Sequence, residues 1–411
     1  MERGLRARLG WCLYDWANSA FALVCMTALL PPLLVAAANR ELGNPSGTVA
    51  WGWIATAGLA TSVVASPFLG TWADRRRQRK KALAVLVLAG AAACGFIGVC
   101  IDRSWLGAGL AYIFGASAFA LGNVLYDALL LGVAPRQVWD RLSALGYAAG
   151  YLGGALALIL ALLFWQGGAH RAAFALVGAW WLLFSLPLFL WVPEPPGGEG
   201  AGSWGSVVAR LRELRAQRQA LRFLVAFWLY NDGIGTVIKM AGAYASELGI
   251  PLGHAVGALL LAQAVGVPAT VAFGALAQRI GSKWAILLAL GAYTAVAIWA
   301  MGIRHTWEFW LLAGVVGTVQ GGAQALSRSL FARFVPPGGE ASYFAFFDVS
   351  GRLSGVLGPG LFALATQLVG KPEAGVAVTA GFFLGGAAVL VGVQEPSGAA
   401  DRDGGCTAAR V

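Results

Sequence analysis

The stretch Ala82–Ile101, reading ALAVLVLAGAAACGFIGVCI, runs for 20 residues without a charge. At a rise of about 1.5 Å per helical residue, such a run crosses a hydrocarbon core about 30 Å thick. Runs of the same kind recur outward on both sides: Trp11–Ala38, Gly47–Trp72, Trp105–Val133, Leu142–Trp165, Ala172–Val192, Phe223–Gly249, Leu252–Ala277, Trp284–Ile303, Trp307–Phe334, Tyr343–Val369 and Gly375–Val393. All twelve are predicted to be helices, because a backbone in lipid must satisfy its amides internally and the runs lack the alternating polarity of barrel strands. Composition agrees, with 58% hydrophobic residues, 12% charged residues and a mean hydropathy of +0.70. The 57 glycines suit close packing between membrane helices.

A net charge of +10 raises the question of a nucleic-acid partner, and the placement of the charge answers it. The basic residues sort by loop. Arg3, Arg6 and Arg8 precede the first span; Arg75 to Arg77 and Arg79 to Lys81 follow the second; Arg136 and Arg141 follow the fourth. Arg210, Arg212, Arg215, Arg218 and Arg222 follow the sixth, Arg279 and Lys283 the eighth, Arg328 and Arg333 the tenth, Arg402 and Arg410 the last. The opposite loops hold only Arg40, Arg103, Arg171, Arg304 and Lys371, so 22 of the 29 basic residues lie on one side and 5 on the other. By the positive-inside rule both termini are expected in the cytoplasm, and the charge reads as topology, with no nucleic-acid partner.

The basic start leading into an apolar run resembles a secretory signal, but the run is too long for a signal core and holds Asp15 and Asn18. An uncleaved first helix is expected. Cys12, Cys25, Cys94, Cys100 and Cys406 show no paired spacing, and His170, His254 and His305 fall in loops. Neither a metal site nor a disulfide framework nor a cofactor is suggested.

The longest polar stretch, 193–222, divides the chain into halves of six spans each, 1–192 and 223–394, with a polar cytoplasmic tail at 395–411. Pro193-Glu194-Pro195-Pro196-Gly197-Gly198 cannot continue a helix. Beyond it Trp204, Val207, Val208, Leu211 and Leu214 recur at helical spacing, which fits either an amphipathic helix on the inner leaflet or a charged linker. The halves echo each other. Gly70-Thr71-Trp72-Ala73-Asp74-Arg75 parallels Gly274-Ala275-Leu276-Ala277-Gln278-Arg279; Gly150 to Gly154 parallels Gly351 to Gly355; Leu13-Tyr14-Asp15 parallels Leu229-Tyr230-Asn231-Asp232. The expected fold class is an all-α integral membrane protein of twelve transmembrane helices in two parallel six-helix repeats, a plan used by secondary transporters.

The loop from Gly70 through Asp74 and Arg75 to Lys81 resembles the loop signature of the major facilitator superfamily. Three further stretches, Tyr14-Asp15-Trp16-Ala17-Asn18-Ser19-Ala20-Phe21, Leu229 to Gly233, and Gln320 to Leu330, are similar to the vacuole-effluxer-like branch, which includes the autophagy-related vacuolar amino-acid exporters of fungi. Lys239, and Gln278 where an acid would repeat Asp74, depart from the pattern. The resemblance implies the major facilitator fold and solute transport by alternating access; for a bacterial member it does not imply an amino-acid substrate.

Polar groups inside the spans are the places to look, because a charge at a helix centre costs roughly 2.5–3.5 kcal/mol on insertion scales and so faces the protein interior or a wet cavity. Tyr14, Asp15 and Asn18 form a one-turn cluster in the first span, against the reading of a solvated interfacial acid; Asn123, Tyr126 and Asp127 form another in the fourth, against a structural ion pair. Asn231, Asp232 and Lys239 share the seventh span, the last two seven residues apart on one face, beside Gly233 and Gly235. There a transport role stands against a plain Lys–Asp pair. Gln320, Gln324 and Arg328 make a stripe with a spacing of four in the tenth, where Arg328 is a candidate contact for an anion or a gating residue. Asp348 and Arg352 are expected to pair along the eleventh span and, with Gly70, Asp74 and Arg75, to serve gating.

The expected mechanism is a rocking of the two halves around a cavity lined by the first, fourth, seventh and tenth spans. No GxxxxGK[ST] loop is present, so the gradient of an ion or solute is the energy source, with protonation of Asp15, Asp127 or Asp232 as the available coupling chemistry. The expected partners are a small-molecule solute, protons and the lipid bilayer, with the chain acting as a monomer in a cytoplasmic membrane. Exporters of drug-like or lipid-like amphiphiles, and a transport-inactive sensor or scaffold, are the alternatives; an enzyme is not expected, because no catalytic constellation is visible.

Overall fold

The computed structural model describes residues 2–42, 46–166, 168–194, 204–247, 252–303 and 305–395. The chain opens with α1 (Glu2–Ala20), a π-helical segment Phe21–Ala28 and α2 (Leu30–Leu42). Then follow α3 (Ser46–Arg76), α4 (Arg79–Cys100), α5 (Trp105–Val133), α6 (Trp139–Gln166) and α7 (His170–Trp191). After these come α8 (Trp204–Ala216), α9 (Arg218–Glu247), α10 (Leu252–Ile280), α11 (Ser282–Ala300), α12 (Thr306–Ala332), α13 (Glu340–Val369) and α14 (Pro372–Val391). The described residues contain no strand.

Ten runs among the described residues are long and apolar enough to cross a membrane. The other two expected spans lie in α9 and α13, each 30 residues long, where Asn231, Asp232 and Lys239 or Asp348 and Arg352 interrupt the apolar run. The chain is a multi-pass integral membrane protein.

The first span departs from the single helix expected over Trp11–Ala38. Pro31 and Pro32 carry no amide hydrogen, so the carbonyls of Thr27 and Ala28 lose their usual partners and the ladder loosens. It shifts to a five-residue spacing: the Leu29 amide donates to the Val24 carbonyl at 2.9 Å, and the Thr27 hydroxyl to the Ala22 carbonyl at 3.0 Å.

Two sets of helices pack mainly among themselves, α1 to α7 and α9 to α14, and they meet where α3 and α5 lie on α13 and where α6 lies on α10 and α12. Gly70 and Gly274 permit two of these crossings. A Cβ at Gly70 would lie 2.5 Å from the Ala341 carbonyl oxygen, and one at Gly274 2.5 Å from the Ala144 Cβ. The segment read either as an amphipathic helix on the inner leaflet or as a charged linker holds α8, where Val207 and Leu214 are buried and the helix packs on α3, α9 and α13, while Val208 stays exposed. Cys12, Cys25, Cys94 and Cys100 are free thiols. The linker start Pro195–Gly198, Arg304, the tail from residue 396 with Arg402, Cys406 and Arg410, and the Lys239 side chain lie outside the described residues.

Candidate functional site

Arg328 enters from α12, one turn before that helix ends, and its guanidinium is only 3% exposed. Its Nη1 donates to Asp127 Oδ1 of α5 at 3.0 Å, and Nη2 to Asp15 Oδ2 of α1 at 3.2 Å. From α6, the Ser143 hydroxyl accepts from Nε at 2.8 Å and the Ser143 carbonyl from Nη2 at 3.0 Å. Four of the five guanidinium hydrogens are thereby committed to the protein. Aromatic faces surround the rest: Cζ lies 4.6 Å from the Trp11 ring centre, 4.5 Å from Tyr147 and 5.4 Å from Tyr126, all within reach of a cation–π contact.

The cage is itself braced. The Tyr126 hydroxyl donates to Asp15 Oδ2 at 2.8 Å, Trp11 Nε1 donates to the Tyr126 carbonyl at 3.1 Å, and the Tyr126 ring has Trp11 stacked on it at 4.6 Å and Tyr14 tilted against it at 4.7 Å. Gly146 lets α6 approach, since a Cβ there would meet Asp15 Oδ2 at 2.5 Å and Arg328 Nη2 at 3.1 Å. The side chains of Asp15 and Asp127 keep 15% and 17% exposure, while Arg328 is buried against them. With both ionised, the cluster carries two negative charges against one positive.

The other predicted residues distribute around this centre. Asn18 donates to Asn123 at 2.7 Å, tying α1 to α5. Tyr151 reaches Gln324 at 3.5 Å, and Gln320 stands one turn further along the same face of α12. Asn231 and Asp232 are held by α13: Asn231 donates to Ser354 Oγ at 2.6 Å and to the Gly351 carbonyl at 3.2 Å, and the Gly358 amide donates to Asp232 Oδ1 at 2.9 Å. Asp232 is fully buried there. The Asp232–Lys239 pairing lies outside the described residues. Arg352 Nε donates to Asp348 at 2.7 Å, and the Ser66 hydroxyl of α3 donates to the same carboxylate oxygen at 3.3 Å.

At the face of the bundle that carries the basic loops, Asp74 accepts the Ala341 amide at 2.9 Å and the Ser342 amide and hydroxyl at 2.8 and 2.7 Å, so it caps the first turn of α13. Arg79 donates to Asp74 through Nε at 3.0 Å and also pairs with Glu340. The buried cation beside Asp74 is Arg79. A second cluster joins α6 to α11 and α12. Asp140 of α6 accepts Ser282 Oγ at 2.9 Å, Ser329 Oγ, and Arg333, which also pairs with Glu395.

Arg79, Glu340, Asp140, Arg333, Ser143, Trp11 and Tyr147 were not singled out in the sequence. One available signal was a repeat. Val192-Pro193-Glu194-Pro195 matches Val393-Gln394-Glu395-Pro396. Glu194 accepts the Arg79 and Lys80 amides at 2.8 and 3.0 Å, opening α4, and Glu395 accepts the Lys283 amide at 3.1 Å, opening α11.

The profile described as vacuole effluxer Atg22 like matches residues 132–403. The MFS-type transporter YxiO of Bacillus subtilis is 32% identical over 415 residues, 96% of each chain. Autophagy-related protein 22-1 of Aspergillus fumigatus is 26% identical over 272 residues, 57% of this chain and 45% of its own length. Among solved structures, the human organic anion transporter MFSD10 superposes with a TM-score of 0.73 at 17% identity, covering 95% of this chain and 99% of that one. The transporter FucP in its outward conformation superposes at 0.73 and 13% identity, covering 96% and 99%. These two likenesses speak to fold. The full-length bacterial relative and the family match together place the chain in the Atg22-like branch of the major facilitator superfamily of membrane transporters.

Proposed function

We propose that the protein is a secondary active transporter in which the halves 1–192 and 223–394 rock about the Arg328 cluster, moving a small solute in exchange with protons. The basic face is cytoplasmic in this reading, as the asymmetry of loop charge indicates. The contacts at Asp74 and Asp140 then hold the conformer closed to the cytoplasm.

The observation that carries the reading is that Arg328, from the second half, is seated between Asp15 and Asp127 of the first. An ion pair that spans the two halves and is shielded from water favours the closed conformer, and removing one partner of such a pair costs about 3–5 kcal/mol. A proton on Asp15 or Asp127 removes one of the two attractions and leaves the cluster neutral, so protonation weakens the hold of one half on the other. A ligand shifts a two-state equilibrium only through its differential affinity for the states, and the proton has one here.

The test is accumulation in proteoliposomes under an imposed pH gradient. The wild type is expected to lose accumulation when the gradient is collapsed, and Asp15→Asn and Asp127→Asn each to lose gradient dependence. Accumulation that survives both substitutions would return the two carboxylates to a structural role. For orientation, a cysteine placed at Gly200 is expected to resist an impermeant thiol reagent in intact cells; ready labelling would invert the topology.

A further inference from the structure

The receptor around Arg328 is built wholly from α1, α5 and α6, and its occupant comes from α12. Two carboxylates, a serine hydroxyl and three aromatic faces converge on one planar cation. Aromatic rings with flanking carboxylates form a general receptor for organic cations. An anion, by contrast, finds one uncommitted hydrogen on Arg328 and a net negative surround. When the two halves separate on this side, Arg328 leaves with α12 and its seat is vacated.

We infer that the transported solute is an organic cation bearing a guanidinium or primary ammonium group, which binds between Asp15 and Asp127 in the seat that Arg328 occupies in this conformer. The inference rests on the transport reading above. Arg328 is then a tethered competitor: it fills the cage in the closed state and prevents an empty pair of buried carboxylates, and a solute of the same chemistry takes its place in the other. The cation neutralises the charge that a proton otherwise balances, so the two compete for one site and their movements are coupled by exchange.

Two measurements on the full-length protein test this. In detergent, Arg328→Ala opens the cage, and methylguanidinium chloride at about ten times its Kd is expected to raise the melting temperature by about 3 °C over sodium chloride of equal ionic strength. Adding Asp127→Asn to that variant is expected to abolish the shift. Should Arg328→Ala fail to fold, Arg328→Gln gives the same comparison with most of the side-chain volume kept. In proteoliposomes the wild type is expected to carry labelled agmatine, with methylguanidinium as inhibitor and leucine and glutamate as non-competing controls. No cation-specific shift in either variant would overturn the cage as a receptor. Transport of leucine or glutamate that methylguanidinium leaves unaffected would overturn the cation assignment and leave alternating access standing. Spin labels at exposed Arg76 and Pro337, beside the end of α3 and the start of α13, whose separation stays the same under every gradient and solute would sink the transport reading, and this inference with it.

Discussion

Asp74 and Asp140 stand at comparable places on the basic face, one at the end of α3 and one at the start of α6, and each joins the two sets of helices. Asp74 does so mainly through backbone, accepting two amides and a hydroxyl from the first turn of α13, with Arg79 and Glu340 completing the cluster. Asp140 does so through side chains alone, Ser282, Ser329 and Arg333. At the position equivalent to Asp74 stands Gln278, which is exposed and caps nothing among the described residues. The repeated scaffold therefore keeps two close helix crossings, at Gly70 and Gly274, while the acid that bonds across has moved from α10 to α6. A helix cap cannot follow its partner far, since its bonds are to fixed backbone; a cluster of side chains can stretch. The Asp74 closure should break sharply and the Asp140 closure gradually.

The strongest way to break this comparison is to substitute both positions of the repeat. Asp74→Asn strands Arg79 beside Glu340 alone and weakens the α13 cap, so a loss of about 3–5 kcal/mol is expected in thermal unfolding in detergent. Gln278→Ala, at an exposed position, should stay within about 0.5 kcal/mol. Equal losses would mean that the two ends close alike. The Asp140 side is sharpened by a double-mutant cycle: Asp140→Asn and Arg333→Gln are expected to show a coupling of about 0.5–3 kcal/mol, smaller than the Asp74 effect because the Arg333 side chain is 16% exposed where that of Arg79 is 1%.

Much of the fold was legible in the chain. A span is a local property, and runs such as Ala82–Ile101 declare themselves by length and lack of charge. So were Asp15, Asp127 and Tyr126, three of the six residues against Arg328, because a polar group inside an apolar run is conspicuous wherever it ends up. What local reading cannot supply is pairing. Arg79 looks like one basic residue among six in its loop, and only the fold carries it to Glu340, 261 positions away. Trp11 and Tyr147 look like ordinary apolar surface until Arg328 lies against their rings. The break in the first span was visible as Pro31-Pro32 but outweighed by the length of the run around it.

The glycines at the two crossings sharpen the same contrast at smaller amplitude. A methyl at Gly70 meets the Ala341 carbonyl of the turn that Asp74 caps, so Gly70→Ala must move the backbone of α13 and disturb the cap with it. A methyl at Gly274 meets the Ala144 methyl at 2.5 Å and the Asp140 carbonyl oxygen at 3.3 Å, and the side-chain bonds of Asp140 can stretch as the helices part slightly. Overpacking of this kind costs about 1–3 kcal/mol, and Gly70→Ala belongs at the upper end with Gly274→Ala at the lower. Melting temperatures of the two variants in detergent check the order.

The smallest effect separates the two glutamates that open α4 and α11. Glu194 accepts two amides, from Arg79 and Lys80, and Lys80 Nζ turns back to the Val192 carbonyl. Glu395 accepts one amide, from Lys283, whose Nζ reaches the Val391 and Val393 carbonyls, and it spends its other oxygen on Arg333. A glutamine keeps one amide bond but loses the charge at the helix start, a loss of about 0.5–1 kcal/mol that salt screens. Glu194→Gln should therefore lose its effect as ionic strength rises. Glu395→Gln also releases Arg333, which is only partly exposed and bound to buried Asp140, so part of its cost should persist in high salt. Melting temperatures of both variants across a salt series decide the point: parallel curves would mean that Glu395 is only a cap, and that the Asp140 closure ends at Arg333.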